Sequence, residues 1–162
     1  MLLGATAAKL QALGVETLAI VASNADRARL YFRYRPVRCA VGADPDLTTH
    51  RAYGVPQIAF TSEVLQAVEG VSRELARELK LEVPDGEALA AVDRLDGFEA
   101  TESESAEFQR HQVQYTGQYL LDRHGIVRWA NIERAQDGLA GLDRFPSDDE
   151  LLAMARALPG QP

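Results

Sequence analysis

The chain has 162 residues, 46% of them apolar and 25% charged, with a formal net charge of −7. That is one ordinary domain with enough apolar material for a core. It excludes a mainly disordered chain, a collagen-like repeat and an integral membrane protein, since no stretch approaches the roughly 20 apolar residues of a membrane helix. The acid excess is local: Pro56 to Tyr115 holds 13 Asp and Glu against 5 Lys and Arg. Such a chain is ill suited to wrap nucleic acid or lie on an anionic membrane. The segment from about 56 to 115 therefore reads as a separate acidic piece laid onto a nearly neutral framework. Cys39 is the only cysteine, which leaves no disulfide within the chain and no Cys-rich zinc site. His50, His111 and His124 share no ligand spacing.

In chain order, Met1 to Leu13 is rich in helix formers and stops at Gly14. It lacks the basic start of a signal peptide, and Lys9 interrupts its apolar run, so the cytoplasm is the expected location. Thr17–Ala22 reads as a short strand buried on both faces. Ser23-Asn24 caps a helix over Ala25–Tyr34, which Pro36 ends. Val37, Cys39 and Val41 alternate with Arg38, Ala40 and Gly42 and predict a second strand. Asp44-Pro45 starts a short helix that runs to Tyr53-Gly54. Two strands, each followed by a helix, are the grammar of a parallel sheet.

The acidic piece is helical in pattern. Thr61-Ser62 caps a run whose Val64, Leu65, Val68, Val71, Leu75 and Leu79 recur at three- and four-residue spacing. Pro84-Asp85-Gly86 is a turn, and a shorter helix follows with Leu89, Val92 and Leu95 on one side. Glu99–Glu107 has four glutamates and no base and reads as a solvated loop. Gln118–Asp122 and Ile126–Ala130 flank a polar turn as a β-hairpin. Gly138 and Gly141 mark a loop, and Ser147 with Glu150 forms a capping box before a helix with Leu151, Leu152, Ala155 and Leu158 on its apolar side.

Three stretches carry a resemblance. Ala12–Ala22 resembles the strand that follows the active-site helix of the alkyl hydroperoxide reductase/thiol-specific antioxidant family, the peroxiredoxin-like redoxins of the thioredoxin-like superfamily. Val41-Gly42-Ala43-Asp44-Pro45-Asp46 with Arg51-Ala52-Tyr53-Gly54-Val55 is similar to that family's strand, Asp-Pro-Asp, helix, Tyr-Gly-Val stretch. Gly117–Arg128 resembles its hairpin. The resemblance implies a thioredoxin-like α/β sheet with flanking helices and the acidic helical segment as an insertion. It implies thiol-dependent reduction of hydroperoxides or protein disulfides, with no organic cofactor or metal. A thiol reductant or a thioredoxin-like donor would supply the electrons, and the family pattern admits a homodimer.

The chain departs from that pattern where the chemistry sits. The family's reactive cysteine opens the first long helix, and this sequence begins inside that helix, so the peroxidatic position is missing and the chain is expected to be inactive by itself. Thr116 stands where the family places an arginine or a cis-proline, facing the missing site; it supplies no positive charge for a thiolate. The fold's central strand is missing with the cysteine, and several orphaned backbone groups at about 1–3 kcal/mol each would rival a domain's stability of about 5–15 kcal/mol. Three resolutions stand, in this order: a gene product that starts further upstream, direct closure of the two flanking strands, or a strand donated by another chain.

Cys39 alternates with Val37 and Val41, away from any helix N-terminus, and reads as a small core residue rather than a reacting thiol. Arg27, Arg29, Arg33, Arg35 and Arg38 read as a solvated helix face, with docking of an acidic partner or of the chain's own acidic insertion as the competing role. Tyr31, Phe32 and Tyr34 read as packing residues. His50, on a short helix, is expected at the surface or partly buried, with metal binding as the lesser alternative, and Trp129 under the last helix. Asp122 and Gly125 read as turn chemistry, with no catalytic part. The leucine pattern from Val64 to Leu79 is expected to cover its own domain. The alternative to a redox protein is a non-catalytic thioredoxin-like module that binds a protein or apolar molecule through the helical insertion.

Overall fold

A computed structural model of the chain describes residues 2–59, 61–84, 86–95, 102, 106, 113–133, 137–142 and 144–158. These form a mixed α/β structure with three two-stranded sheets among the described residues. The chain divides into two compact units. The first comprises Met1–Pro56, Thr116–Ile132 and Phe145–Pro162; the second comprises Gln57–Tyr115 and Glu133–Arg144.

The first unit opens with helix α1 (Leu2–Gln11), closed by a bond from the Val15 N–H to the Leu10 carbonyl at 3.1 Å. Strand β1 (Leu18–Val21) pairs in parallel with β2 (Ala40–Ala43), Leu18 opposite Ala40 and Val21 opposite Ala43. Between them runs α2 (Ala25–Tyr34). Asn24 caps it, its side-chain oxygen accepting from the Arg27 N–H at 3.0 Å. The α2 bounds match the sequence expectation; the strands do not. β1 is half-buried rather than buried on both faces, and Leu18 is 62% exposed. A strand with a single partner is solvated along its other edge. β2 starts at Ala40, three residues later than the alternation suggested, because the residues after Pro36 are spent on a bend at Arg38 and Cys39.

Helix α3 (Thr48–Ala52) is shorter than the expected helix from Pro45 to Gly54. Its start is set by the Asp44 carboxylate, which accepts from the N–H groups of Thr48 and Thr49 at 2.8 Å each and of His50 at 3.2 Å. Leu47, 3% exposed, turns the chain into the helix with a left-handed φ of 55°.

The expected hairpin is present as β5 (Gly117–Leu121) and β6 (Val127–Ile132), antiparallel, with a register shift between Leu120 and Leu121. Gly125 takes φ 75° in its turn, which an L side chain would resist. The last helix of the unit, α6 (Asp148–Arg156), carries the capping box: Ser147 Oγ accepts from the Glu150 N–H at 3.3 Å, and the Ser147 N–H donates to Glu150 Oε2 at 2.7 Å. Lys9 and Thr6 of α1 both bond the Asp148 carboxylate, which they hold below its ordinary pKa. Leu10, Leu120 and Ala155 form the buried centre, with Leu13, Trp129 and Leu152 packed against it. Trp129 thus lies with the final helix, as expected.

The second unit holds β3 (Gln57–Ile58) and β4 (Val113–Gln114), an antiparallel pair of two residues each. Helix α4 (Ser62–Glu78) is capped by the Thr61 hydroxyl, which accepts from the Val64 N–H at 3.3 Å. It packs against α5 (Ala88–Asp93) and a 310 turn at Gly138–Gly141, where a loop was expected. The Glu69 carboxylate of α4 bonds the first N–H groups of α5, Ala88 at 3.1 Å and Leu89 at 3.3 Å. Leu65, Leu75 and Leu79 are exposed, as is Leu95, so the apolar pattern of this unit is covered only in part. Glu99–Glu107 falls outside the described residues except for Glu102 and Ala106.

Candidate functional site

In the first unit, α3 and the start of β5 bring together a connected set of polar groups. His50 Nδ1 lies 2.9 Å from Asp44 Oδ2, with both side chains nearly buried, at 12% and 9% exposure. Burial alone would raise the Asp44 pKa; the His50 ring and the three helix N–H groups outweigh it and hold the carboxyl at about 2. An aspartate-oriented imidazole is the arrangement of a general base.

The far end of α3 is stitched to β5. The Val55 N–H bonds the His50 carbonyl at 2.9 Å, and Tyr119 Oη donates to the Tyr53 carbonyl at 2.7 Å. The Tyr53 and Tyr119 rings meet edge to face, centroids 4.9 Å apart. Burial, with a smaller part from Tyr53, raises the Tyr119 pKa. Gly117 sits inside this contact: a Cβ there would stand 2.6 Å from Val55 Cγ2 and 2.7 Å from Tyr119 Cε2. Thr116, immediately before β5, is exposed.

Cys39 lies in the bend before β2, not within the strand as its alternation suggested. It is partly buried and free of disulfide. It takes part in no hydrogen bond or ion pair among the described residues. Nothing in the geometry couples it to the Asp44–His50 pair. Asp122 is a turn-former: it accepts from the N–H groups of His124 at 2.9 Å and Ile126 at 3.1 Å, and Arg128 closes on it with Nε at 2.8 Å and Nη2 at 2.7 Å. Burial opposes its ionisation, and these bonds overcome that and lower its pKa. His111 lies outside the described residues; His124 is exposed.

The second unit carries a groove of about 460 Å³ along α4, lined by Leu65, Gln66, Glu69, Gly70, Arg73 and Gly86. Among the described residues no cluster of three or more His, Cys, Asp or Glu could hold a metal ion, and no helix is long and apolar enough to cross a membrane. The Asp44–His50 pair went unseen in the sequence, where His50 read as a histidine at the surface or partly buried; it is partly buried. The available signal was an aspartate before a helix start with a histidine six positions on, within reach of it across one turn. Comparison with family models, with curated proteins and with solved structures finds no match to this chain.

Proposed function

We propose that the chain serves a thiol-dependent redox protein of the thioredoxin-like, peroxiredoxin-like kind, which reduces hydroperoxides or protein disulfides in the cytoplasm, and that Cys39 is not its reacting sulfur. The observation that carries this reading is the order of elements in the first unit. A parallel β1–β2 pair joined through α2 is followed by an antiparallel hairpin, then by a capped helix packed against α1 and the hairpin core. That order agrees with the three stretches that resemble the redoxin family. The chemistry requires a thiolate that attacks the peroxide oxygen or a disulfide sulfur, and a second thiol that regenerates it. A low-pKa thiolate is favoured at a helix N-terminus or beside a cation; Cys39 sits in a bend ahead of a strand. A thiol reductant or thioredoxin-like donor completes the cycle.

A hydroperoxide-consumption assay with a thiol donor tests both parts. The purified chain and its Cys39→Ser variant are expected to consume peroxide no faster than buffer. Cys39-dependent turnover at enzymic rates would overturn the assignment of Cys39. Reading the DNA upstream of Met1 tests the rest: an in-frame extension encoding an apolar strand and a cysteine, whose product turns over peroxide, supports the redox function. A stop codon there favours the second reading, a non-catalytic thioredoxin-like binding module, for which the α4 groove and the exposed Leu65, Leu75 and Leu79 speak.

A further inference from the structure

Strand β2 has one partner, and its other edge carries backbone groups that nothing among the described residues takes up. The Asp44 N–H donates to the Val21 carbonyl at 2.8 Å, so Asp44, and by alternation Gly42 and Ala40, turn their N–H and C=O groups toward β1. Val41 and Ala43 turn theirs away from it. Both residues are exposed, Val41 at 37%. Edge strands are ordinarily blunted by a charge, a proline or a bulge. Ala40-Val41-Gly42-Ala43 has none of these, and its register on β1 is unbroken. The chemistry that recognises such a row of donors and acceptors is a further extended strand.

The flanks of β2 say which strand. Arg38, four residues before Gly42, and Asp46, four residues after it, are both exposed, and neither makes an ion pair among the described residues. Consider an antiparallel copy of β2 with a two-fold axis at Gly42. Val41 then stands opposite Ala43 of the second copy, Ala43 opposite its Val41, and every outward N–H meets an outward carbonyl. The same register brings each Arg38 level with Asp46 of the other chain, opposite charges on both flanks. A slip of two residues one way sets Val41 against Pro45, which has no N–H. A slip the other way sets Arg38 against Asp44, already committed to the start of α3 and to His50. We propose that β2 is a self-association edge, which joins two copies of this chain into one four-stranded sheet in the order β1-β2-β2-β1. The contact is the same patch on both copies, so it closes as a dimer, and it extends a sheet that two strands alone leave at the small end of the usual range. It uses the edge of β2 away from β1 and is independent of the redox reading.

Sedimentation of the full chain over a concentration series, with reductant present to keep Cys39 from cross-linking, tests it. The mass is expected to rise with concentration from the 17.7 kDa of one chain toward twice that value and to stop there. Amide exchange followed by NMR is expected to slow at Val41 and Ala43 over the same series. Val41→Pro removes an outward N–H and no bond to β1, and should abolish the dimer. Arg38→Glu alone, or Asp46→Lys alone, sets like charges on both flanks and should weaken association by about tenfold. Mixing those two chains should restore it, since each flank of the mixed pair again joins opposite charges. Circular dichroism checks that each variant is folded. A chain that stays monomeric throughout overturns the proposal, as does a mass that grows past twice that of one chain. So does association that survives Val41→Pro, a mixture that fails to recover, or exchange at Val41 and Ala43 that does not change with concentration.

Discussion

Gly117 has no room for a methyl group, because Val55 Cγ2 and the Tyr119 ring stand 2.6 and 2.7 Å from where its Cβ would be. The ring cannot step aside cheaply: its hydroxyl is bonded to the Tyr53 carbonyl at 2.7 Å and its edge meets the Tyr53 ring. Gly117→Ala is therefore expected to cost about 1–3 kcal/mol in urea unfolding and to change the near-UV tyrosine signal. Asp44 works through bonds rather than space. Its folded pKa, about 2, lies below its ordinary 3.8, so its stabilising contribution is whole above about pH 4 and lost as pH falls through about 2. Asp44→Ala is expected to cost about 1–2 kcal/mol at neutral pH. The gap between wild type and variant should narrow across that acid range, as urea midpoints taken pH by pH would show.

Helix ends carry the next set of consequences. α4 closes with the Lys80 N–H on the Arg77 carbonyl at 3.0 Å and the Leu81 N–H on the Ala76 carbonyl at 2.9 Å, a geometry that puts Lys80 at φ 56°. A residue with a Cβ is strained there, so Lys80→Gly is expected to stabilise the chain by about 1 kcal/mol. Ser147→Ala removes the α6 cap and should lose about the same; thermal melts of the two variants would move in opposite directions. The elements themselves were legible in proportion to how local their causes are. Asn24, Thr61 and the Ser147–Glu150 box announce their helices because a cap is decided within four residues. β3 and β4 are two residues each, too short to show alternation, and only their mutual pairing makes them strands. The start of α3 was misplaced because the proline after Asp44 suggested an immediate helix, whereas the Asp44 side chain reaches forward to Thr48 and beyond. The exposure of Tyr31 and Tyr34, 42% and 47%, depends on what packs over α2, which no local pattern encodes.

At the scale of the whole molecule, the mixed α/β class follows from apolar periodicity, while the Asp44–His50 pair depends on how one turn folds back on itself. The chain divides into two units, and Trp129, the one tryptophan, packs on the buried centre of the first, while the longest described helix, α4, belongs to the second. Denaturation followed by tryptophan fluorescence and by far-UV ellipticity is expected to give two different midpoints; coincident curves would mean that the chain unfolds in one step. The hairpin of the first unit adds a matter of timing. Every bond that closes its turn comes from Asp122 to Arg128, with the Arg128 guanidinium locked on the Asp122 carboxylate. A loop that small closes at little entropic cost, whereas joining β1 to β2 must wait for the intervening α2. Residues 117–132 are thus the natural first template in assembly, the surface on which α1 and α6 later settle.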